Sequence, residues 1–173
     1  MEHIVFREAT VEDAKAIITL YQTIGKETDY FSFGSEGLIT ELQEQQDEIL
    51  KTAKDPNASF LLVFLKNELI GYGKLRSMPR RFSHRAELAI AIKKAYWNNG
   101  IGKEIMKRLI HKAKNSGLEL IDIKVRSDNE RAIHVYRKFG FKTVGTVPAY
   151  IKIGDAYYDF DLMCLDLRQK NEE

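Results

Sequence analysis

The chain has 173 residues, of which 44% are hydrophobic and 30% are charged, and its formal net charge is +2. This length and composition are typical of a single globular domain and exclude a disordered or fibrous chain. The weak net charge argues against nucleic acid or an anionic membrane as a partner, because such binders concentrate Lys and Arg on one face.

Features that report on the cellular compartment favour the cytoplasm. Cys164 is the only cysteine, which excludes an internal disulfide and fits a reducing environment. The N-terminal segment lacks the apolar run of a signal peptide, and no apolar run approaches the roughly 18 residues of a membrane span. We therefore expect a cytoplasmic protein with one domain at residues 1–173.

The first half of the sequence predicts a strand, two helices and a hairpin. A Thr-x-x-Asp pattern at residues 10–13 is typical of a helix start. Two β-rich segments joined by a short turn predict an antiparallel pair. In chain order the predicted elements are a strand at Ile4–Arg7, a helix from Thr10 through Ile24, a loop at Thr28–Gly37, an exposed helix at Leu38–Lys54, and strands at Ser59–Leu65 and Leu69–Arg76.

The second half predicts a strand–helix–strand unit followed by a helix and two strands. The strand at Ala86–Ile92 is almost entirely apolar, which predicts that both of its faces are covered. The crossover rule makes it parallel to the next strand. The further elements are a helix from Ile101 to Ala113, a strand at Leu118–Val125, a helix at about Asn129–Lys138, and strands at Phe141–Val147 and Tyr157–Leu167, the last preceded by a turn at Gly154-Asp155.

The turn before the helix at Ile101 has the chemistry of an anion site. The first N–H groups of a helix lack intrahelical partners and lie at the positive end of its dipole. Gly100 and Gly102 carry no Cβ that would keep a diphosphate away, and Asn98 and Asn99 tolerate left-handed conformations. The spacing fits neither a dinucleotide fingerprint nor a Walker loop. A tight turn that binds nothing is the alternative interpretation.

Two motifs in this half resemble those of the GNAT superfamily of acetyl-CoA-dependent N-acetyltransferases. The family pattern is R/Q-x-x-G-x-G/A after a splayed strand, followed by N-x-x-A-x-x-x-Y-x-x-x-G-F. The motifs stand here as Trp97-Asn-Asn-Gly100-Ile-Gly102 and Asn129-Glu-Arg-Ala132-Ile-His-Val-Tyr136-Arg-Lys-Phe-Gly140-Phe141. Trp97 departs from the pattern, but phosphate contacts in such loops come largely from backbone N–H groups. The resemblance covers almost the full chain.

The resemblance implies a fold and a position for acetyl-CoA. The fold is a GNAT-like α/β (mixed α+β) domain with a mixed, mainly antiparallel sheet of about seven strands, a splayed parallel pair and about four helices on its faces. The pantetheine arm of acetyl-CoA would pair with the backbone of the splayed strand. Asn129 would hydrogen-bond this arm, or cap its own helix, and the two roles are compatible. The implied cofactor-binding residues are Ile90, Ala91, Ile92, Trp97, Asn98, Asn99, Gly100, Ile101, Gly102, Lys103, Asn129 and Tyr136.

The same resemblance makes Tyr136 the acid that meets the departing thiolate. A phenol has a pKa of about 10 and a thiol of about 8.5, so a hydrogen bond that strengthens as charge builds on sulfur is sufficient. The alternative is a core tyrosine on the apolar face of its helix.

The acceptor side needs a group that removes a proton, because an amine with a pKa of about 10.4 is protonated at neutral pH. Glu87 and His84 are the candidates, since the acceptor site of the family lies along this strand. Exposed strand or loop residues are the alternative for both. With one cysteine, an acyl-cysteine route is disfavoured, and the sequence predicts no metal site.

Substrate choice is expected in the loop after the first helix. Glu27 could attract a cationic acceptor, and Tyr30 and Phe31 could form an aromatic wall. An aromatic loop folded onto the core is the alternative. The sequence thus predicts acetyl transfer from acetyl-CoA to a primary amine by direct attack in a ternary complex, with a non-catalytic acyl-CoA-binding module as the other possibility. It does not identify the amine, and a homodimer is the default assembly.

Overall fold

The computed structural model describes residues 3–168. Its helices and strands are β1 (Ile4–Glu8), α1 (Ala14–Glu27), α2 (Leu42–Ala53), β2 (Ser59–Leu65), β3 (Glu68–Ser77), β4 (Arg85–Ile92), α3 (Ile101–Asn115), β5 (Leu120–Arg126), α4 (Glu130–Lys138), β6 (Lys142–Ile153) and β7 (Ala156–Asp166). Short 3₁₀ turns occupy Val11–Asp13, Arg80–Phe82 and Lys94–Tyr96.

In this part of the chain the strands form one seven-stranded sheet in the order β1-β2-β3-β4-β5-β7-β6. The β4–β5 pair is parallel and the other neighbouring pairs are antiparallel. The predicted mixed, mainly antiparallel sheet with one parallel pair is confirmed. None of the described helices combines the length and apolarity needed to cross a membrane.

The sheet separates two apolar cores. Helices α1 and α2 pack over β2 and β3, around side chains such as Ile17, Leu20 and Leu62. Helix α3 packs on the other face, where Ile105, Met106 and Leu109 are almost fully buried. Burial of this apolar surface on both faces is the main favourable term in forming the fold. Strand β4 departs from the prediction of two covered faces, because Ala89 is exposed where the helices leave the sheet open.

The Thr-x-x-Asp pattern caps the 3₁₀ turn at Val11–Asp13, and α1 follows from Ala14 rather than from the predicted start at Thr10. The Thr10 N–H donates a hydrogen bond to Asp13 Oδ2 over 2.8 Å, which satisfies an otherwise unpaired donor at the start of the helix. The Arg7 guanidinium holds the same carboxylate through two contacts of 2.7 Å. This ties the helix to β1.

Helix α2 and strand β6 have boundaries several residues from those predicted. Helix α2 begins at Leu42 rather than Leu38, because the backbone of Glu41 is still extended, with ψ of 130°. Strand β6 continues to Ile153, beyond the predicted end at Val147. An irregularity between Val147 and Ile151 absorbs the extra residues, and Ala149 there has a positive φ of 49°.

Candidate functional site

The site begins where the parallel strands separate. Pairing of β4 with β5 ends at Glu87 and Asp122, and on that side the last five residues of β4 pair with no strand of residues 3–168. At its two ends β4 bonds to β3 through the peptide groups of Arg85 and Lys93. Because such bonds alternate along a strand, the peptide groups of Ile90 and Ile92 face the gap between β4 and β5.

This gap opens into a cleft of about 1260 Å³. It is bounded by β4, β5, α4, the turn at 97–103 and the loop at 28–33. The structure brings most of the predicted site residues to this cleft: Tyr30, Phe31, Glu87, Ile90, Ala91, Ile92, Trp97, Asn98, Gly100, Ile101, Gly102, Lys103, Asn129 and Tyr136.

Three predicted residues are not among those that line the cleft: Glu27, His84 and Asn99. The Glu27 carboxylate instead accepts a hydrogen bond of 2.7 Å from the Lys94 N–H. His84 precedes β4, and its carbonyl accepts N–H groups from the start of β5. Ala91 does line the cleft, but its peptide groups face β3.

The turn at 98–103 presents a row of peptide N–H groups. None of them donates a hydrogen bond to another residue within 3–168, and the first bond of α3 runs from the Glu104 N–H to the Gly100 carbonyl over 3.1 Å. Asn98 and Gly100 have positive φ values of 64° and 79°. Such alternation of backbone handedness turns successive N–H groups into one concavity, which suits a phosphate.

Gly102 marks the space above this turn. A Cβ built on Gly102 would meet Ile92 Cδ1 at 3.5 Å, an ordinary contact, so packing within the chain does not require a glycine here. Gly100 is different, since its positive φ is one that residues with a Cβ rarely adopt. The missing Cβ at Gly102 leaves the backbone at the start of α3 open to close approach by another group.

Trp97 and Asn129 stand at the two sides of the gap. The Trp97 Nε1–H donates to the Ile92 carbonyl over 2.7 Å, which fixes the indole against the end of β4. Asn129 Oδ1 accepts a hydrogen bond from the Ala132 N–H over 3.3 Å. Asn129 therefore caps α4, which is one of its two predicted roles. No residue within 3–168 bonds to the Asn129 amide nitrogen, so its donors stay available.

Tyr136 combines a packed ring with a hydroxyl that has no protein partner. Its ring centroid lies 6.1 Å from that of Phe141. No hydrogen bond joins the hydroxyl to any part of the described chain. Burial raises the pKa of Tyr136 to about 12, and the positive charge of Arg131 acts in the opposite direction. The phenol is therefore neutral and able to donate at every physiological pH.

Glu87 lies between two cations. Its carboxylate contacts Arg76 on β3 and lies 2.7 Å from Lys124 Nζ on β5. Burial on its own would raise the pKa of Glu87, but hydrogen bonds from Lys124 and Arg76 outweigh burial and lower it. The group is ionised at neutral pH and is a weak base.

The sequence analysis missed Arg126, which ends β5. Only 6% of this residue is exposed, and its guanidinium lies between the rings of Tyr30 and Tyr158, at 4.5 and 4.1 Å. It also donates to the Asp29 carbonyl and to the Asp128 carboxylate. Arg126 thus fastens the loop at 28–33 to the end of β5. An arginine that ends an apolar strand was the available signal.

Comparisons with known proteins agree with this geometry. A family model described as the Acetyltransferase (GNAT) family matches residues 21–141. The L-amino acid N-acetyltransferase AaaT of Escherichia coli is 30% identical over 115 residues, which are 62% of this chain and 70% of that protein. The N-alpha-acetyltransferase RimI of Mycobacterium tuberculosis is 30% identical over 51% of this chain and 56% of its own length.

Solved structures extend the similarity to nearly the whole chain. The acetyltransferase of the GNAT family from Streptococcus pneumoniae has a TM-score of 0.90 and 29% identity, covering 95% of this chain and 99% of its own. The structure of yncA from Salmonella typhimurium, which was solved with its cofactor acetyl-CoA, has a TM-score of 0.84 and 17% identity over 99% and 98% of the two chains. This second similarity concerns the fold alone.

Proposed function

Since the chain belongs to the GNAT acetyltransferase family, we propose that it moves the acetyl group of acetyl-CoA to a primary amine by direct attack in a ternary complex. The observation that carries this proposal is the row of unbonded N–H groups at 98–103, which meets the unpaired end of β4 in one cleft. The acyltransferase class and acetyl-CoA as co-substrate follow from the family. The mechanism and the residues that perform it are our proposal.

Acetyl-CoA supplies an activated acetyl thioester, and the chain supplies its binding site. The N–H groups at 98–103 hold the diphosphate, helped by the positive end of the α3 dipole. The peptide groups of Ile90 and the N–H of Ile92 pair with the amides of the pantetheine arm, as an added strand would. The Asn129 amide donates to the same arm. The Ile92 carbonyl is already occupied by Trp97.

Tyr136 stabilises the leaving sulfur by donating a hydrogen bond. With its pKa near 12, complete proton transfer to a thiolate of pKa about 8.5 costs roughly 5 kcal/mol. The phenol therefore retains most of its proton while negative charge builds on sulfur. A donor aimed at developing charge lowers the barrier without needing to transfer the proton early.

Glu87 removes the proton from the acceptor amine in this proposal. It lines the cleft whereas His84 does not, so the role goes to the carboxylate. Because Lys124 and Arg76 keep the carboxylate ionised, it is always able to accept a proton, directly or through water. Its low basicity means that it works on an amine that the site already holds close to neutral.

The acceptor lies against the loop at 28–33. Tyr30 and Phe31 line the cleft there, and the Phe31 and Phe33 rings stack with centroids 5.4 Å apart. Glu27 is turned to Lys94 and takes no direct part. The printed names of the relatives, an L-amino acid N-acetyltransferase and an N-alpha-acetyltransferase, make free amino acids and peptide N-termini the first acceptors to test.

The test is release of free thiol from acetyl-CoA by the purified chain against a panel of L-amino acids, peptides with free N-termini, and polyamines. We expect amine-dependent thiol release with at least one class, and the mass of the product raised by one acetyl group. Acetyl-CoA binding without thiol release for any amine would instead support a non-catalytic acyl-CoA-binding module. Absence of acetyl-CoA binding would refute both.

A further inference from the structure

We propose that Arg131, held on the face of Trp97, is the side-chain cation that binds a phosphate group of coenzyme A in this chain. The inference rests on the proposed function, because it names a further residue of the same cofactor site. The family pattern has Arg or Gln where this chain has Trp97, and a cation from another element lies against that indole.

The two side chains form a stacked pair at the cleft. The Arg131 guanidinium carbon lies 3.6 Å from the centroid of the Trp97 ring, and both residues line the cleft beside Asn98 and Gly100. The indole is itself fixed, because its Nε1–H donates to the Ile92 carbonyl over 2.7 Å. Trp97 is therefore a platform whose position is set by the end of β4.

The stack leaves the charge of Arg131 available. No carboxylate in the described chain lies within ion-pair distance of Arg131, and its N–H groups donate to no residue within 3–168. A cation over an aromatic face is held by the ring quadrupole, so its charge is not neutralised as it would be in a salt bridge. The planar guanidinium keeps its donors in the plane, where they match phosphate oxygens.

The position of Arg131 on α4 disfavours a purely structural explanation. Arg131 is the second residue of α4, whose cap is Asn129. A cation in the first turn of a helix is opposed by the helix dipole. This local cost becomes a gain once an anion lies between the start of α4 and the start of α3, because both helix ends and the guanidinium then face the same negative charge.

The two residues of the pair have different roles. Trp97 carries no charge itself and orients a cation that α4 supplies. Trp97 is a positioning residue and Arg131 the binding residue. Coenzyme A offers a diphosphate and a 3′-phosphate, and both have the same chemistry for a guanidinium.

The experiment is calorimetric titration of acetyl-CoA into the full chain and into Arg131→Gln. We expect the dissociation constant of Arg131→Gln to rise about tenfold or more, as for loss of a charged hydrogen bond. Lys94→Gln is the matched control, since its ammonium lies 6.0 Å from the same ring but outside the cleft. That variant should bind as the unaltered chain does.

Two further arms locate the contact. Trp97→Leu should weaken binding, and the double variant with Arg131→Gln should lose no more than the larger single loss, since the two residues act as a unit. Dephospho-CoA, which lacks the 3′-phosphate, should reveal the group bound. If Arg131→Gln still weakens the binding of dephospho-CoA, the contact is to the diphosphate. If the substitution leaves the affinity for dephospho-CoA unchanged, the contact is to the 3′-phosphate.

The outcome separates this inference from the proposed function. Tight acetyl-CoA binding by the unaltered chain with equal affinity in Arg131→Gln overturns the inference and leaves the proposed function intact. Failure of the unaltered chain to bind acetyl-CoA overturns both. Equal losses of acetyl-CoA affinity in Arg131→Gln and Lys94→Gln would also overturn the inference, because removal of any nearby positive charge would then explain the effect.

Discussion

At the scale of single residues, the chemistry depends on side chains that the fold leaves incompletely bonded. The Tyr136 hydroxyl has no partner in the described chain, and its pKa is raised to about 12 by burial. The residue is only partly buried and lines the cleft, so its hydroxyl is able to donate a hydrogen bond to a ligand there. We propose that this donor serves catalysis as well as packing.

Replacing Tyr136 with Phe tests this role. The ring and its contact with Phe141 are retained, so we expect little change in stability or in acetyl-CoA affinity. Turnover with a working amine should fall about a hundredfold or more, as for a positioned acid. Steady-state kinetics and calorimetry measure the two quantities separately. Unchanged turnover in Tyr136→Phe would remove the residue from the mechanism.

A second residue-scale prediction concerns pH. Since the pKa of Tyr136 is raised to about 12, its proton is retained up to about pH 11, and it should not cause a loss of turnover on the alkaline side below that point. We expect turnover at saturating amine to stay level between pH 8 and about pH 10. A fall in this range that disappears in Tyr136→Phe would show that the phenol titrates there.

At the scale of elements, two helix starts carry the arrangement. The start of α1 is fixed by Asp13, and the start of α3 is left open to bind an anion. The contrast lies in the partners: the Asp13 carboxylate accepts from the Thr10 N–H and from Arg7, whereas the N–H groups at 98–103 have no acceptor in the described chain. One helix start is hydrogen-bonded within the chain, and we propose that the other binds the diphosphate.

Asp13→Asn should destabilise the chain by about 1 kcal/mol at neutral pH, since it weakens the start of α1. Hydrogen bonding from Arg7 lowers the pKa of Asp13 in the folded chain. This contribution is therefore present above the unfolded pKa and is lost as pH falls through the lower, folded one. Thermal unfolding should show that the difference in stability between the unaltered chain and Asp13→Asn is smaller near pH 2 than at pH 7. Asp155→Asn, in the exposed turn after Gly154, is the control. A stability difference for Asp13→Asn that does not change with pH would contradict the role given to the Asp13 carboxylate.

Gly102→Ala tests the open start of α3. Because the added Cβ makes only an ordinary contact with Ile92, and alanine favours the helix, the melting temperature should be unchanged or slightly higher. Acetyl-CoA affinity should fall about tenfold, since the methyl group occupies space needed for a close backbone approach. Gly145→Ala, where a Cβ would meet no atom within 4 Å, should change neither. Unaltered acetyl-CoA affinity in Gly102→Ala would support the alternative interpretation, in which the turn connects β4 to α3 and binds nothing.

At the scale of the whole molecule, the sequence predicted what local patterns encode. Alternation and helical spacing predicted the order of the elements. The resemblance to the GNAT motifs implied that Gly100, Asn129 and Tyr136 belong to one site, and all three line the same cleft. It did not predict the clamp of Arg126 between Tyr30 and Tyr158, because those contacts join segments far apart in the chain. For the same reason it did not predict that Trp97 supports Arg131.

Other differences have equally physical causes. Glu27 and His84 lie outside the cleft because neighbouring backbone groups, the Lys94 N–H and the start of β5, bind them elsewhere. Strand β6 is longer than predicted because a bulge near Ala149 lets an irregular sequence stay in the sheet. Composition and periodicity contain no signal for either effect.

The central claim is that backbone N–H groups at 98–103 bind the diphosphate of acetyl-CoA. The most direct measurement compares acetyl-CoA with S-acetylpantetheine, which carries the same thioester but lacks the diphosphate and the adenosine 3′-phosphate, by calorimetric titration of the purified chain. The account predicts saturable binding of acetyl-CoA that is at least about tenfold tighter than that of S-acetylpantetheine. Equal affinity for the two compounds, or no binding of acetyl-CoA, would contradict it.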